Sequence, residues 1–410
     1  MALQTLTTLS SVLYRDYDKV IRGQIFSKTP ALSNLQKNVG VTPLKNNTFY
    51  FKSASTGHSG VYHDNGAAGA DLLTGEPTYD EPSVSVRFSW GTHQLTDTTL
   101  DAIDGDPSAV VDTAEEFAMR VKESMQKDLN RQFYQRGDTE ANNAVIATVN
   151  GASTGTTVTI DNGPTTVNAI GPSLGTWFLY EGSLIDIGTD AEMGADTDVE
   201  ATISTVDTAT TFTISSAATI VDNDNITFRD SDNNEMSGMR SIADSDNTFQ
   251  GIARGSNYWA VAHVEETAEG LTEDRMITAF IEANKFGEVN GILIGTQLYR
   301  KYASLLTSMK RTSSPQQSLL AGFTGLEFAA GGSGQAVILD HSCPYGDVDF
   351  VTFKPEAIVF GEMSAGWMNR GEGIFKPTSL RSSYWATYKT HGNFIARNFK
   401  AHARLGAKTT

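Results

Sequence analysis

The stretch DPSAVVDTAEEFAMRVKESMQKDLNRQFYQR (106–136) predicts one long amphipathic helix. Asp106 is a good N-cap residue, Pro107 fits the first turn, and Gly137 favours an end to the helix. The apolar residues recur at helical spacing and form a single stripe: Val110, Val111, Ala114, Phe117, Ala118, Val121, Met125, Leu129 and Phe133. A helix of about thirty residues is a rod of roughly 45 Å.

The composition changes directly after this helix. From Asp138 to Phe228 there are 13 acidic residues, no Lys or Arg, and 19 threonines. Short β-like runs separated by turn residues recur at 144–149, 156–160, 183–188, 201–206, 211–215 and 225–228. Residues 138–233 are therefore predicted to form a small all-β barrel or sandwich.

The chain before the helix reads as an arm followed by a long hairpin. Residues 1–36 look like an extended arm with one short helix, closed by Pro30. NNTFYFKSAS (46–55) and SVSVRFSWGTHQL (83–95) alternate like strands, and the latter would place Val84, Val86, Phe88 and Trp90 on one face. The Gly-, Asp- and Pro-rich stretch between them (58–82) has no period. A loop of this length is uncommon in a compact domain unless it is functional or packs on something else.

The chain after residue 233 returns to a mixed pattern. Helices are predicted at 272–287 and 296–306, and strands at 290–295, 335–340, 347–353, 357–362 and 383–399. This alternation indicates an α/β unit that is followed by a β-rich tail.

Charge is distributed unevenly along the 410 residues, whose net charge is −17. The acidic block contrasts with Arg370 to Thr410, which holds eight bases and one acid, Glu372. This asymmetry argues against a reader of duplex DNA, which needs a basic face on a basic domain. It fits a protein whose copies or parts meet with opposite charge, and equally a solvated acidic domain beside an ordinary basic face.

Several other classes find no support in the sequence. The single cysteine, Cys343, excludes an internal disulfide framework and a multi-cysteine metal site. No apolar run has the length of a membrane span, and MALQTLTTLS (1–10) lacks the basic region of a secretory signal. DHSC (340–343) gathers Asp, His, Ser and Cys at a strand end, but adjacent strand residues point to opposite faces. DSDNNE (230–235) begins like a calcium loop but lacks its glycine. We therefore expect no enzyme activity, cofactor or metal.

Three later stretches carry a resemblance to a known family. They are SGMRSIADSDNTFQGIARGSNYWAVAHV (237–264), EVNGILIGTQLYRKYASLL (288–306) and FTGLEFAAGGSGQAVILDHSCPYGDVDFVTFKPEAIVF (323–360). Together with the order of elements, they resemble the major capsid proteins of tailed bacteriophages, which have the Hong Kong 97-type fold.

The resemblance implies an α+β capsid fold with an added all-β domain. Its parts would be an N-terminal arm (1–36), an extended hairpin loop (37–105), a spine helix (106–137), the inserted acidic Thr-rich β domain (138–233), a return to the peripheral domain (234–264), an axial domain (265–350), and peripheral strands with the C-terminus (351–410).

The implied function is structural. Copies would assemble as homo-pentamers and homo-hexamers into an icosahedral head around double-stranded DNA, with scaffolding, portal and decoration proteins as partners and no membrane. The subunit would be made in the host bacterial cytoplasm and would end in the virion.

Two sets of contact residues follow from this implied function. Apolar side chains of the hairpin loop need another copy for their burial: Tyr62, Leu72, Leu73 and Tyr79. Basic residues of the tail would contact DNA non-specifically or a neighbouring subunit's acids: Arg397, Lys400 and Arg404.

Three alternatives stay open at this point. A nanocompartment shell shares the fold but is usually shorter and lacks the extra β domain. The Thr-rich acidic block suggests a β-rich surface adhesin, which the long helix and the lone cysteine disfavour. A hydrolase built on DHSC (340–343) is the third, and substitution of His341 would test it.

Overall fold

The computed structural model of the chain describes residues 29–55, 76–96, 107–137, 144–161, 174–189, 198–245, 248–309, 326–330, 333–368, 376–377 and 383–409. Its α-helices are α1 (Pro30–Asn38), α2 (Pro107–Gln132), α3 (Met239–Ile242), α4 (Glu273–Asn284) and α5 (Thr296–Met309). Within the described ranges, no helix combines the length and the apolar character needed to cross a bilayer.

The strands range from two to fourteen residues in length. They are β1 (Val41–Pro43), β2 (Thr48–Tyr50), β3 (Ser53–Ala54), β4 (Tyr79–Asp80), β5 (Ser83–Ser85), β6 (Arg87–Thr96), β7 (Ala147–Thr148), β8 (Thr157–Thr159), β9 (Leu184–Gly188), β10 (Val199–Val206), β11 (Thr211–Ile214), β12 (Asn225–Phe228), β13 (Thr248–Phe249), β14 (Ile252–Ala253), β15 (His263–Glu265), β16 (Glu269–Gly270), β17 (Gly291–Ile294), β18 (Leu326–Ala330), β19 (Ser333–Leu339), β20 (Val348–Val351), β21 (Ile358–Trp367), β22 (Lys376–Pro377), β23 (Ser383–Ala396), β24 (Ala403–Leu405) and β25 (Lys408–Thr409).

The long helix is confirmed, although α2 ends at Gln132 rather than at 136. The chain that returns from the acidic block binds the residues just after α2. The Met239 amide donates to the Phe133 carbonyl over 2.6 Å, and the Gly238 amide donates to the Gln135 carbonyl over 3.0 Å. These carbonyls accept from the returning chain, which explains the early end of the helix. The predicted N-cap, Asp106, lies outside the described residues.

The first sheet has the order β1-β21-β23-β22, and β6 pairs along the other side of β23. The β6–β23 ladder is continuous from Arg87 opposite Gly392 to Thr96 opposite Ser383. Segment 37–105 is therefore not all hairpin loop, because β6 and β1 belong to this sheet. Gly91 lets β6 approach α2 closely, since a Cβ there would lie 2.9 Å from Val121 Cγ1.

The stem of the hairpin is confirmed by two short antiparallel pairs, β2 with β5 and β3 with β4. Residues 56–75, the rest of the hairpin loop, lie outside the described part of the chain. The predicted strand at 83–95 is two strands, β5 and β6, and the four residues predicted to share a face differ in burial. Val84 and Val86 are buried whereas Phe88 and Trp90 are exposed, because the chain passes at Val86 from the hairpin to the first sheet.

Pro30 begins a helix instead of closing the arm. Proline suits this first helical position, where its missing N–H costs nothing. The next two amides are bound by side chains far along the chain: Ala31 N donates to Asp340 Oδ2 and Leu32 N to Asn130 Oδ1. The proposed boundary at residue 36 therefore cuts through α1. The short helix predicted earlier in the arm lies outside the described residues.

Residues 144–228, which we call the acidic unit, carry a six-stranded antiparallel sheet of order β7-β12-β9-β10-β11-β8. Each of the six predicted runs contains one of these strands. The buried apolar cluster of this sheet is drawn entirely from residues of the unit, from Ile146 to Ile226. Among the described residues, the unit thus has its own core.

The chain enters and leaves the acidic unit at one place. Residues 133–135 are hydrogen bonded to 238–239, so the two connections run side by side. Glycines permit this contact: a Cβ on Gly137 would overlap the Glu235 carbonyl, and one on Gly238 would overlap the Gln132 carbonyl.

The mixed sheet has the order β15-β24-β20-β17-β19-β18 and packs against α4 and α5 through a second buried apolar cluster. The predicted strands at 290–295, 335–340 and 347–353 are confirmed within it. The predicted axial segment 265–350 is too narrow, because β24 comes from the C-terminus. That strand pairs in parallel with β15 and antiparallel with β20.

Candidate interaction surfaces

The apolar residues proposed as hairpin contacts are only partly visible. Tyr62, Leu72 and Leu73 lie outside the described residues. Tyr79 lies in β4 opposite Ala54, with 64% of its surface exposed. An exposed tyrosine on a two-stranded stem is placed as the contact requires, and the contact itself stays a prediction.

Arg404 does not point outward, which corrects its proposed role. It lies in β24 at the centre of the mixed sheet with 2% exposure. Its guanidinium forms ion pairs with Glu266 at 2.8 Å and Asp347 at 3.3 Å. Burial in a sheet and pairing with acids of the same chain leave it unable to reach DNA or another subunit. Arg404 instead pairs with the buried carboxylate of Asp347 and the exposed carboxylate of Glu266 in its own chain.

Arg397 and Lys400 lie together at the surface beside exposed aromatic rings. Lys400 Nζ is 3.8 Å from the centre of the Tyr258 ring and 5.0 Å from that of Phe286. Burial lowers the pKa of Lys400, against the opposing effect of Glu282. Arg397 Nη1 donates to the Pro355 carbonyl over 2.9 Å. We call these four side chains the aromatic–cationic patch: Tyr258, Phe286, Arg397 and Lys400.

A groove of about 660 Å³ separates β6 from the acidic unit, with α2 as its floor. On β6, the Trp90 side chain is 52% exposed, and Phe88 beside it is also exposed. Their rings contact His391 edge-on at 4.6 and 4.7 Å. Residues 88–92 of β6 line one wall of this groove. A groove beside exposed aromatic rings is suited to binding another polypeptide.

Lys127 joins the floor of the groove to the acidic unit. Its ammonium donates to the Trp177 carbonyl over 2.9 Å and to the Tyr180 hydroxyl, and it lies 4.7 Å from the Phe178 and Tyr180 rings. Burial lowers the pKa of Lys127 to about 8, although Asp128 opposes this.

A buried ion pair holds the chain that leaves the acidic unit against α2. Arg131 donates to Glu235, just past the acidic unit, and to Asp128 Oδ1. Because Arg131 and Glu235 are both buried, breaking this pair would leave an unpaired charge inside the protein.

Known proteins resemble this chain in structure but not detectably in sequence. No protein-family model matches the chain, and no curated protein matches it. Among solved structures, the capsid asymmetric unit of cyanophage A-1(L) has a TM-score of 0.59 at 11% identity, covering 99% of this chain and 100% of that chain. This chain has a phage-capsid fold. The capsid of the native GTA particle gives 0.51 at 11% identity over 98% and 99% of the two chains, and the empty particle 0.50 at 10% over the same shares.

The capsid fold confirms the α+β class and the resemblance drawn from residues 237–360. It favours neither the adhesin nor the hydrolase alternative, because the solved structures that share the fold are structural shells. Within DHSC (340–343), Asp340 accepts from Asn130 and Tyr134 and so fixes α2 to this turn. The Cys343 thiol is buried, and burial raises its pKa well above the usual value.

Sequence reasoning missed the groove and the two aromatic rings of the patch. Phe88 and Trp90 were predicted only to share one face of a strand, and no signal in the sequence pointed to Tyr258 or Phe286. Trp90 meets His391, and Lys400 meets Tyr258 and Phe286, only in the folded chain, because these partners are far apart in the sequence. Gly91 was the one local signal, because a glycine within a strand marks a close approach.

Proposed function

We propose that this protein is the major capsid subunit of a tailed bacteriophage, which assembles into an icosahedral head around double-stranded DNA. The observation that carries the proposal is the match to a phage capsid subunit along almost the whole of both chains. Exposed aromatic residues at two separate surfaces, Trp90 and Tyr258, support it. Such residues are enriched where proteins meet.

We assign the parts of the chain as follows. The first sheet and α2 form the peripheral domain, with α2 as spine helix. The mixed sheet with α4 and α5 forms the axial domain, extended by β24. The acidic unit is an inserted domain, supported by its own core and its adjacent connections.

The hairpin loop would lie on a neighbouring copy, as its length and its apolar residues suggest. The groove beside β6 offers a surface of fitting chemistry, because the exposed rings of Phe88 and Trp90 lie on that strand. Limited proteolysis should cut residues 58–82 in free subunits and spare them in shells. Equal cutting in both states would refute this contact.

The acidic unit would face outward, because 11 acids without a base in every copy would repel packaged DNA. A cysteine at Glu181, with Cys343 replaced by serine, should then react with a bulky maleimide on intact shells. Labelling that requires broken shells would place the unit inside.

DNA would be held without sequence preference, and partners would include scaffolding, portal and decoration proteins. Arg397 and Lys400 remain available for DNA or for another subunit, whereas Arg404 does not. Gel-shift binding that weakens steeply with salt is the expected result. A salt-insensitive, sequence-selective complex would contradict it.

The direct test is expression of the chain followed by sedimentation and negative-stain microscopy. Closed shells of uniform diameter are expected. Particles no larger than a few subunits, at all protein concentrations and with scaffold supplied, would overturn the proposal.

A further inference from the structure

The acidic unit carries an exposed Asn–Gly pair, Asn150–Gly151, at the bend that follows β7. In such a pair the backbone nitrogen of the glycine can attack the amide carbon of the asparagine side chain, because glycine has no Cβ that would hinder the approach. The sequence contains four such pairs, at 65–66, 150–151, 162–163 and 290–291. The structure describes the second and the fourth, and these two have different surroundings.

The bend at Asn150 leaves room for this attack. Asn150 is exposed, and no residue of the described ranges binds its side-chain amide. Gly151 has a φ of +81°, a left-handed conformation that glycine adopts readily, and a Cβ built on it would meet nothing within 4 Å. The Asn150 side chain can therefore turn towards Gly151, and water has access to both residues.

A carboxylate meets the nitrogen that would attack. The Gly151 N–H donates to Asp222 Oδ1 over 2.6 Å. The other carboxylate oxygen, Oδ2, accepts from the Asn223 side chain over 3.1 Å, which orients the group. A general base must lie within about 2.6–3.2 Å of the atom whose proton it removes. Asp222 meets this requirement at the one proton that has to leave before the Gly151 nitrogen can attack.

The other described Asn–Gly pair is locked. Asn290 Oδ1 accepts from the Phe353 backbone N–H over 2.7 Å, and Asn290 Nδ2 donates to the Phe353 carbonyl over 3.2 Å. Gly291 is buried in β17, where a Cβ would lie 2.5 Å from the Phe353 ring. Turning the Asn290 side chain towards Gly291 would break both hydrogen bonds. The same dipeptide therefore provides an internal control.

We propose that Asn150 is a site of self-modification, at which Asp222 acts as the general base for deamidation. Asp222 takes the proton of the Gly151 N–H, and the nitrogen forms a bond to Asn150 Cγ. The proton then passes to the side-chain nitrogen, whose bond to Cγ breaks, so that ammonia leaves and a succinimide ring remains. One water molecule opens the ring and gives aspartate or isoaspartate. Asparagine and water thus become a carboxylic acid and ammonia, with no change in oxidation state.

The product changes the charge of the acidic unit. It adds a carboxylate to a unit that has 11 acids and no Lys or Arg. This carboxylate forms close to Asp222, which already adds to the effect of burial in raising the pKa of Asp161. Like charges at short range repel each other, and isoaspartate also lengthens the backbone by one carbon. We therefore expect the modification to loosen the bend at Asn150.

The test is incubation of the purified full chain at neutral pH in ¹⁸O-labelled water, followed by peptide mapping with mass spectrometry. The peptide that contains Asn150 should gain a carboxylate that carries ¹⁸O, because water opens the ring. An isoaspartyl methyltransferase should label a part of the same product. The peptide that contains Asn290 should keep its amide over the same time.

Two matched variants test the role of Asp222. D222N keeps an acceptor for the Gly151 N–H but removes the base, and it should slow the loss of the Asn150 amide at least about tenfold. D207N removes another exposed acid of the same unit and should leave the rate unchanged.

The pH profile gives an independent readout on the parent chain, which decides the point even where D222N alters folding. If Asp222 takes the proton, the rate should change little between pH 8 and pH 6. If hydroxide takes it, the rate falls in proportion to the hydroxide concentration, and D222N should show this second behaviour.

Three outcomes would overturn the inference. Asn150 could keep its amide as long as Asn290 does, D222N could react as fast as the parent, or the parent rate could follow the hydroxide concentration. None of these measurements involves assembly, so each of these outcomes would leave the proposed function standing.

Discussion

The acidic unit and the mixed sheet are both six-stranded, but they are built in opposite ways. Every strand of the acidic unit comes from one continuous stretch, and its apolar core draws on no other part of the described chain. The mixed sheet places β24 (403–405) between β15 (263–265) and β20 (348–351). The acidic unit can therefore fold through contacts between residues that are near in sequence. The mixed sheet cannot join β15 to β20 until the C-terminal strand β24 has paired with both.

The two sheets also treat charge differently. The acidic unit keeps many of its carboxylates at the surface, as at Asp207 and Asp222. The mixed sheet buries Asp347, Asp349 and Arg404 around β20 and β24. The stability of the mixed sheet around β20 and β24 therefore depends on the charges of these three side chains compensating one another. The stability of the acidic unit depends on its apolar core.

The largest predicted effect comes from removing residues 401–410. This deletion removes β24 and with it Arg404, so the buried Asp347 and Asp349 lose that nearby positive charge. We expect no cooperative thermal transition from the mixed sheet, because β15 loses its link to the other four strands and a buried charge loses its partner. Circular dichroism and calorimetry would measure this. A truncated protein that melts like the full chain would contradict the topology.

The second effect concerns the junction between the two regions. Replacing Gly238 with alanine should cost about 2 kcal/mol or more, because the added methyl group overlaps the Gln132 carbonyl. Gly155→Ala, inside the acidic unit, is the matched control, since its Cβ would meet nothing within 4 Å. Chemical denaturation of unassembled subunits gives both values. Equal stability of the two variants would mean that the two connections do not pack as closely as described.

The third effect is a pH dependence that arises in the mixed sheet. Burial, with Asp347 beside it, raises the pKa of Asp349 to about 8. The folded state therefore holds a proton that the unfolded chain releases near pH 4, and this contribution is lost as pH rises from about 4 to about 8. The stability of Asp349→Asn relative to the parent should therefore increase by at least about 1 kcal/mol between pH 5 and pH 8.

Urea denaturation at the two pH values measures this difference. Asp207→Asn, which changes an exposed acid of the acidic unit, should leave the pH profile unaltered. Parallel profiles for Asp349→Asn and the parent would show that Asp349 ionises normally in the folded protein.

The smallest effect is expected where the acidic unit rests on α2. Lys127→Met keeps the aliphatic stem beside Phe178 but removes the bonds to Trp177 and Tyr180. Burial already disfavours the charge, so the change in global stability should be below about 1 kcal/mol. Hydrogen exchange should quicken at 174–180 and not in the mixed sheet. A loss of more than about 2 kcal/mol would make Lys127 a main support of the fold.

The same contrast explains what the sequence could predict. Each strand of the acidic unit was predicted because alternation and turn residues are local signals, and the long helix because its stripe continues to Leu129 and Phe133. The three residues of β24 give no such signal, since their partners lie about 55 and 140 residues away. For this reason Arg404 was expected at the surface. Pro30 was likewise expected to end the arm, because the contact of the first helical turn with Asp340 lies more than 300 residues away and leaves no local signal.

The candidate surfaces divide in the same way. Lys400 was singled out from the basic tail, but the rings that surround it come from Tyr258 and Phe286, more than a hundred residues earlier. The groove depends on where the acidic unit rests against α2 and β6. The composition of the tail was enough to identify its basic residues as candidate contacts. The aromatic residues that surround Lys400 could be identified only from the folded structure.

We propose that the first and mixed sheets build a shell to which the acidic unit is added. Electron microscopy of the full chain beside a variant in which a short Gly/Ser linker replaces 138–233 would test this. We expect closed shells from the full chain, and a folded variant that still forms shell fragments or closed shells of the same curvature. Small particles from both proteins would contradict the claim, and so would a variant whose mixed sheet no longer folds.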